Sequence, residues 1–226
     1  MTAVAGKLIV IEGIDGSGKS TQYKMLCERL ESGGREFKKL VFPRYDNESS
    51  ALIRMYLGGA FGSDPSDVNA YAASSFYSAD RYASWVTDWG EYYRGGGLVL
   101  SDRYTTSNAV HQGAKLSGAA RAGYFDWLDD FEFARLGLPR PDVVIYLSVD
   151  VDTALRQMAE RSERTGAKRD IHETHAGYLR LCAASGLEAA EHFGWRVVGC
   201  IRDGRMRSPE DIHAEIFSAV NAAIDG

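Results

Sequence analysis

The sequence predicts a three-layer α/β fold, with a five-stranded parallel sheet flanked by helices. Strand-like and helical segments alternate along the 226 residues. That order favours a parallel sheet with right-handed crossovers. The strand segments are short apolar runs rich in β-branched residues, as expected where helices cover both faces of a sheet.

The first strand is expected over Lys7-Leu8-Ile9-Val10-Ile11-Glu12, and a glycine-rich stretch follows it. The segment from Ser20 to Leu30 carries Met25, Leu26 and Leu30 at helical spacing, and Gly33-Gly34 supplies the stop. A second strand is expected from Phe37 to Phe42, halted by Pro43, and then a short helix from Ser50 to Leu57. The stretch from Asn69 to Tyr93 is rich in alanine and aromatic residues and predicts a long, mostly buried helix. Gly95-Gly96-Gly97 ends it, and Leu98-Val99-Leu100 is the third strand. The rest is expected to be helical from Ala119 to Leu136, a strand from Asp142 to Val149 and helical from Asp152 to Glu160. From Ser162 to Lys168 the chain is polar and contains Gly166, which predicts an exposed loop. A helix from His172 to Phe193, a fifth strand from Trp195 to Ile201 and a closing helix from Pro209 to Ile224 complete the series. No repeat, low-complexity tract or linker divides the chain, so residues 1–226 are read as one domain.

A hydrophobic share of 45% and a charged share of 25% suit a globular protein with a real core. The net charge of −5 argues against a nucleic-acid polymer as partner, so any anion site must be a local cluster of Arg and Lys. Cys27, Cys182 and Cys200 are widely separated, which suggests neither a zinc site nor a disulfide framework and fits a reducing compartment. The opening MTAVAGKLIV lacks the basic and long apolar regions of a signal peptide, and no apolar run approaches the ~20 residues that span a bilayer. A cytoplasmic protein without membrane association is the expectation.

Gly13-Ile14-Asp15-Gly16-Ser17-Gly18-Lys19-Ser20 matches G-x-x-x-x-G-K-[ST] and lies between the first strand and the first helix. The glycines let the backbone wrap phosphate oxygens with inward N–H groups, and the helix N-terminus favours an anion there. Lys19 can reach the β- and γ-phosphates and the Ser20 hydroxyl can ligate Mg²⁺. Gly13, Asp15, Gly16, Ser17, Gly18, Lys19, Ser20 and Thr21 are therefore the candidate ATP-binding residues. The expected fold is a P-loop NTPase.

Further candidates sit where strands end, the usual place for ligands in open α/β sheets. These are Phe42-Pro43-Arg44-Tyr45 after strand two and Asp102-Arg103-Tyr104 after strand three, with Asp80-Arg81 in the long helix. An arginine there offers a planar fork suited to phosphate oxygens.

The ordered set GIDGSGKS, FPRY, FYSADR, DRYTTSNAVHQG and RSERTGAKRDIHE resembles the thymidylate kinase family from about Lys7 to the helix after Glu173. What the resemblance implies is a Mg²⁺-dependent transfer of the γ-phosphoryl group of ATP to dTMP. It implies that Asp15 holds the sugar 3′-hydroxyl, that Arg44 and Arg103 grip the acceptor phosphate, and that Asp102 joins Ser20 in positioning Mg²⁺. Phe42 would line the base pocket, Tyr45 would reach the phosphate, and Arg81 would bond a thymine carbonyl. Tyr77 stands where the family usually stacks a Phe on the base. Ser107 and Asn108 belong to the segment that reads the base edge, and His111 replaces a Tyr or Phe against the deoxyribose.

A lid over about residues 161–170 gathers Arg161, Arg164, Lys168 and Arg169. Gly16 in the loop together with arginines in the lid resembles the branch of the family whose catalytic arginine is in the lid, with Arg161 and Arg164 as candidates. Asp170 and Glu173 resemble the acidic pair just beyond it. The family commonly forms homodimers.

Two rival readings remain open. A deoxynucleoside kinase, or a kinase for another nucleoside monophosphate, would use the same scaffold; the former needs a carboxylate near the sugar 5′-hydroxyl, and Glu48 is the nearby acid. A nucleotide-dependent regulator is the second, although a guanine-reading N-K-x-D segment is missing.

Overall fold

The computed structural model describes residues 6–165 and 176–225. Strands β1 (Lys7–Gly13), β2 (Lys38–Val41), β3 (Leu98–Asp102), β4 (Val143–Ser148) and β5 (Arg196–Gly199) form one parallel sheet in the order β2-β3-β1-β4-β5. β1 is thus central, and its apolar run divides by side-chain parity. Ile9 and Ile11 join the larger core cluster with Leu26 and Leu30 of α1 (Lys19–Ser32) and Ile212, Ile216 and Val220 of α8 (Pro209–Asp225). Leu8 and Val10 pack on the other face with Val99, Val144, Trp89 and Tyr104. Both faces are dry, which is why the strand sequence is continuous rather than alternating.

Local chemistry sets the helix limits. α1 begins after Gly18, whose left-handed backbone (φ 88°) turns the loop into the helix. It ends at Gly33 and Gly34, where Arg35 N–H donates to Leu30 O at 3.0 Å. The helix α3 (Ala70–Ser84) is capped by Asn69, whose side-chain oxygen accepts from Ala72 N–H at 2.9 Å. It continues through a π-turn at Trp85–Trp89 into α4 (Gly90–Arg94), so the predicted long helix is one path with an inserted widening. α8 starts on Pro209 behind Ser208, whose hydroxyl accepts from Asp211 N–H. The remaining helices are α2 (Ala51–Leu57), α5 (Gly118–Asp129, followed by a π-turn at Asp130–Arg135), α6 (Val151–Thr165) and α7 (Ala176–Phe193).

Two expectations need correction. α6 runs to Thr165 rather than stopping at Glu160, so Arg161 and Arg164 belong to its last turns and not to a loop. Ala154 and Met158 hold its buried stripe, and no helix breaker occurs before Gly166. The fifth strand is shorter than expected. Cys200 breaks it, and Ile201–Arg202 (β6) pairs antiparallel with Arg205–Met206 (β7) in a small hairpin around Gly204. Lys168, Arg169, Asp170 and Glu173 lie outside the described residues. No described helix is long and apolar enough to cross a membrane.

Candidate active site

The site is built at the carboxyl ends of β1 and β3. Gly13, Gly16 and Gly18 keep the loop after β1 tight. A Cβ on Gly16 would stand 2.3 Å from the Ala154 carbonyl oxygen, and one on Gly13 would stand 2.6 Å from Ser17 Oγ. Ser17 is buried and Ser20 and Thr21, at the start of α1, are exposed. Lys19 folds back so that its ammonium donates to Ile14 O at 2.8 Å and lies 3.8 Å from Asp15. Burial, then the nearby Arg103 charge, pushes the Lys19 amine down to about 8.

Arg103 follows β3 with a left-handed backbone (φ 69°), a strained conformation for a non-glycine residue. Its guanidinium forms an ion pair with Asp15 and reaches Glu12 at 3.3 Å, Ser107 Oγ at 3.2 Å and His111 Nε2 at 3.1 Å. Burial would lower its proton affinity, but the Asp15, Glu12 and Asp102 carboxylates outweigh that and raise it. Asp102, the last residue of β3, is shifted upward by burial. Among the described residues its Oδ1 has no hydrogen-bond partner, and neither does Ser17 Oγ.

Glu12 was not singled out by sequence reasoning, yet it is fully buried beneath this cluster. It accepts from Gly13 N–H at 2.9 Å, from Thr106 and Ser107 hydroxyls at 2.7 Å each, and from Arg103. A carboxylate within an otherwise apolar central strand was the available signal, because burying it demands such donors.

Beside the loop lies a cleft lined by Asp15, Phe42, Tyr45, Tyr77, Arg81, Arg103, Ser107, Asn108 and His111, together with Tyr104 and Gln112. Nine predicted residues from four chain segments therefore converge. The segment Asn108–Gln112 is a π-turn with all five residues buried, an irregularity that turns Asn108 and His111 to the same cleft. His111 is braced between Arg103 and Cys182, with 3.6 Å from Nδ1 to Sγ.

Arg44 is not among the cleft-lining residues. Asp80 accepts from its backbone N–H at 2.9 Å and from Nε at 3.1 Å, and Ser49 Oγ accepts from Nη2 at 3.0 Å. This clamp ties the guanidinium to Asp80 and Ser49. Glu48, the acid a nucleoside kinase would require, is also absent from the lining. Arg161 is exposed on α6 and stands apart from this cleft lining.

Behind the cleft residues Arg81 and Asn108 lies another fully buried carboxylate, Glu132, which the sequence offered only as a charge between Phe131 and Phe133. It pairs with Arg81 through Nη2 and through Nε at 3.2 Å. It also accepts from Ser78 Oγ at 2.6 Å and from Asn108 Nδ2 at 3.3 Å.

A phosphate-binding loop on the central strand, abutting an arginine-lined cleft, defines a P-loop nucleotide kinase. The sequence model of the thymidylate kinase family matches residues 11–189. The chain is 36% identical to the thymidylate kinase of Mycobacterium tuberculosis over 214 residues, covering 91% of this chain and 99% of that one. It is 33% identical to human thymidylate kinase over 164 residues, covering 73% and 71%. Its fold resembles a solved thymidylate kinase from Candida albicans, with a TM-score of 0.69, 22% identity and coverage of 96% and 92%. The chain belongs to the thymidylate kinase family.

Proposed function

We propose that this protein transfers the γ-phosphoryl group of ATP to dTMP, giving ADP and dTDP. The observation that carries the reading is the junction at Arg103, which touches both the phosphate-loop residue Asp15 and the acceptor-side residues Ser107 and His111. An acceptor phosphate at Arg103 would lie next to the donor's γ-phosphate at Lys19. Both groups are then held for in-line attack, which makes positioning and charge stabilisation the main catalytic devices. The acceptor phosphate is itself the nucleophile, so no general base is assigned.

In this reading Gly13, Gly16, Ser17, Gly18, Lys19, Ser20 and Thr21 bind ATP. Asp15 holds the 3′-hydroxyl, and Phe42 and Tyr77 flank the base. Arg81 and Asn108 bond its edge, and His111 with Ser107 borders the sugar. Arg44 and Tyr45 complete the phosphate grip, while Arg161 and Arg164 are the candidate catalytic arginines. Mg²⁺ fits the buried Asp102 Oδ1, which has no partner among the described residues, with Ser20 as the second holder. When bound, it would neutralise charge on the triphosphate oxygens. The working unit is proposed to be a homodimer.

ADP release with ATP, Mg²⁺ and each of dTMP, dUMP, dCMP, dGMP and thymidine tests this. Preference for dTMP is expected, with a loss of at least ~100-fold in kcat/KM for Arg103→Ala, as for removal of a preorganised charged donor. Phosphorylation of thymidine but not dTMP would overturn the reading.

A further inference from the structure

Glu132 touches no substrate position, yet its hydrogen bonds decide what the cleft presents to a base. A carboxylate is acceptor-only, so every neighbour that bonds it must turn a donor toward it. Asn108 does so: its Nδ2 donates to Glu132 Oε1 and to Ser74 O, each at 3.3 Å. Both amide protons are thereby directed into the protein, and the Asn108 carbonyl oxygen is left on the side of the cleft that the residue lines. Arg81 is fixed by the same carboxylate. Its Nε and Nη2 edge is committed to Glu132, and Nη1 is left with a 3.4 Å contact to Tyr104 O. Ser78 Oγ donates to Glu132 at 2.6 Å and backs Arg81 Nη2 at 3.3 Å, which locks the carboxylate from below.

The cleft therefore offers an acceptor from Asn108 beside a donor from Arg81. That pair complements a pyrimidine with a ring N–H next to a carbonyl, as in thymine or uracil. It opposes cytosine, whose ring nitrogen accepts and whose exocyclic amine donates. We propose that Glu132 is a positioning residue that sets base choice by fixing the orientation of the Asn108 amide and the Arg81 guanidinium. This inference rests on the assignment of the cleft to the acceptor nucleotide. A neutral amide at position 132 could donate to the Asn108 oxygen, which frees the Asn108 side chain to rotate and present its NH₂ to the base.

The test is steady-state kinetics of wild type, Glu132→Gln and Glu132→Asp with dTMP and dCMP, each protein being checked for a cooperative thermal transition. Glu132→Gln is expected to raise KM for dTMP by about tenfold and to lower the dTMP-to-dCMP ratio of kcat/KM by at least about tenfold. KM for ATP should stay within about twofold, a separation that general loosening of the fold would not give. Glu132→Asp keeps an acceptor-only group with shorter reach, so KM for dTMP should rise while the base preference is retained. Unchanged discrimination in a folded Glu132→Gln protein would overturn the inference. So would a rise in KM for ATP matching that for dTMP in either variant, and if Glu132→Gln does not fold, an unchanged KM for dTMP in Glu132→Asp would overturn it alone. A wild type that ignores dTMP would instead overturn the assignment of the cleft.

Discussion

Lys19 is the residue whose environment most directly links stability to activity. Burial and the Arg103 charge depress its amine from 10.5 to about 8, a cost of roughly 3 kcal/mol to keeping it charged in the nucleotide-free fold. The folded value lies below the unfolded one, so the penalty is fully present below pH 8 and is relieved as pH climbs from about 8 to 10.5. Activity runs the opposite way, because only the ammonium can grip phosphate. The expected outcome is that kcat/KM for ATP falls above pH about 8, measured as a pH–rate profile, whereas kcat at saturating ATP holds further because bound phosphate restores the proton. A kcat/KM profile that stays flat to well above that value would show that Lys19 is not the titrating group. Glu12 and Glu132, both fully buried, are the other side of the same design. Each is paired with an arginine and bonded by hydroxyls, so neither leaves an orphaned charge.

Among the elements, the phosphate loop and α6 constrain one another. Gly16 has φ 79° and backs directly onto the Ala154 carbonyl at the first turn of α6. That turn is itself fixed by Asp150, whose carboxylate accepts from Thr153 N–H at 2.8 Å. Gly16→Ala must therefore shift backbone as well as adopt a strained φ, and should lower stability by more than ~2 kcal/mol and raise KM for ATP. Gly34→Ala is the matched comparison. It has φ 69° but nothing within 4 Å of the added Cβ, so it should cost only about 1 kcal/mol and leave KM alone. Thermal melts with ATP titration of both variants check this. The same contact explains why a side chain at position 16 does not fit.

For the whole molecule, the question is what covers α3. Tyr71, Ser75, Ala79, Tyr82 and Val86 recur at helical spacing and are all exposed, with Val86 at 59%. Buried on the same helix, Ser78 and Arg81 join the network behind the cleft. A stripe of this kind, on the helix that backs the acceptor site, suits the proposed homodimer. Val86→Glu should convert the protein to a monomer by light scattering, with its circular dichroism spectrum unchanged. A wild type that is already monomeric would remove that assignment of the face.

The sequence by itself determined the sheet, since covered strands must be continuously apolar and Lys7–Gly13 could be little else. It also determined the phosphate loop, because wrapping phosphate with backbone N–H groups restricts the residue types position by position. The arginine-bearing segments were legible one at a time. Only the tertiary structure decided how they combine. Arg44 stays out of the cleft lining because Asp80, on α3, claims it, and the helix carrying Arg161 runs on because Ala154 and Met158 bury its stripe. Glu12 and Glu132 could not be assigned from sequence, since their side-chain partners come from residues 78 to 108 of the chain, brought together by the β1–β3 crossover and the packing of α3. A buried carboxylate gains its meaning from the donors around it, and those are set by packing rather than by neighbours in the chain.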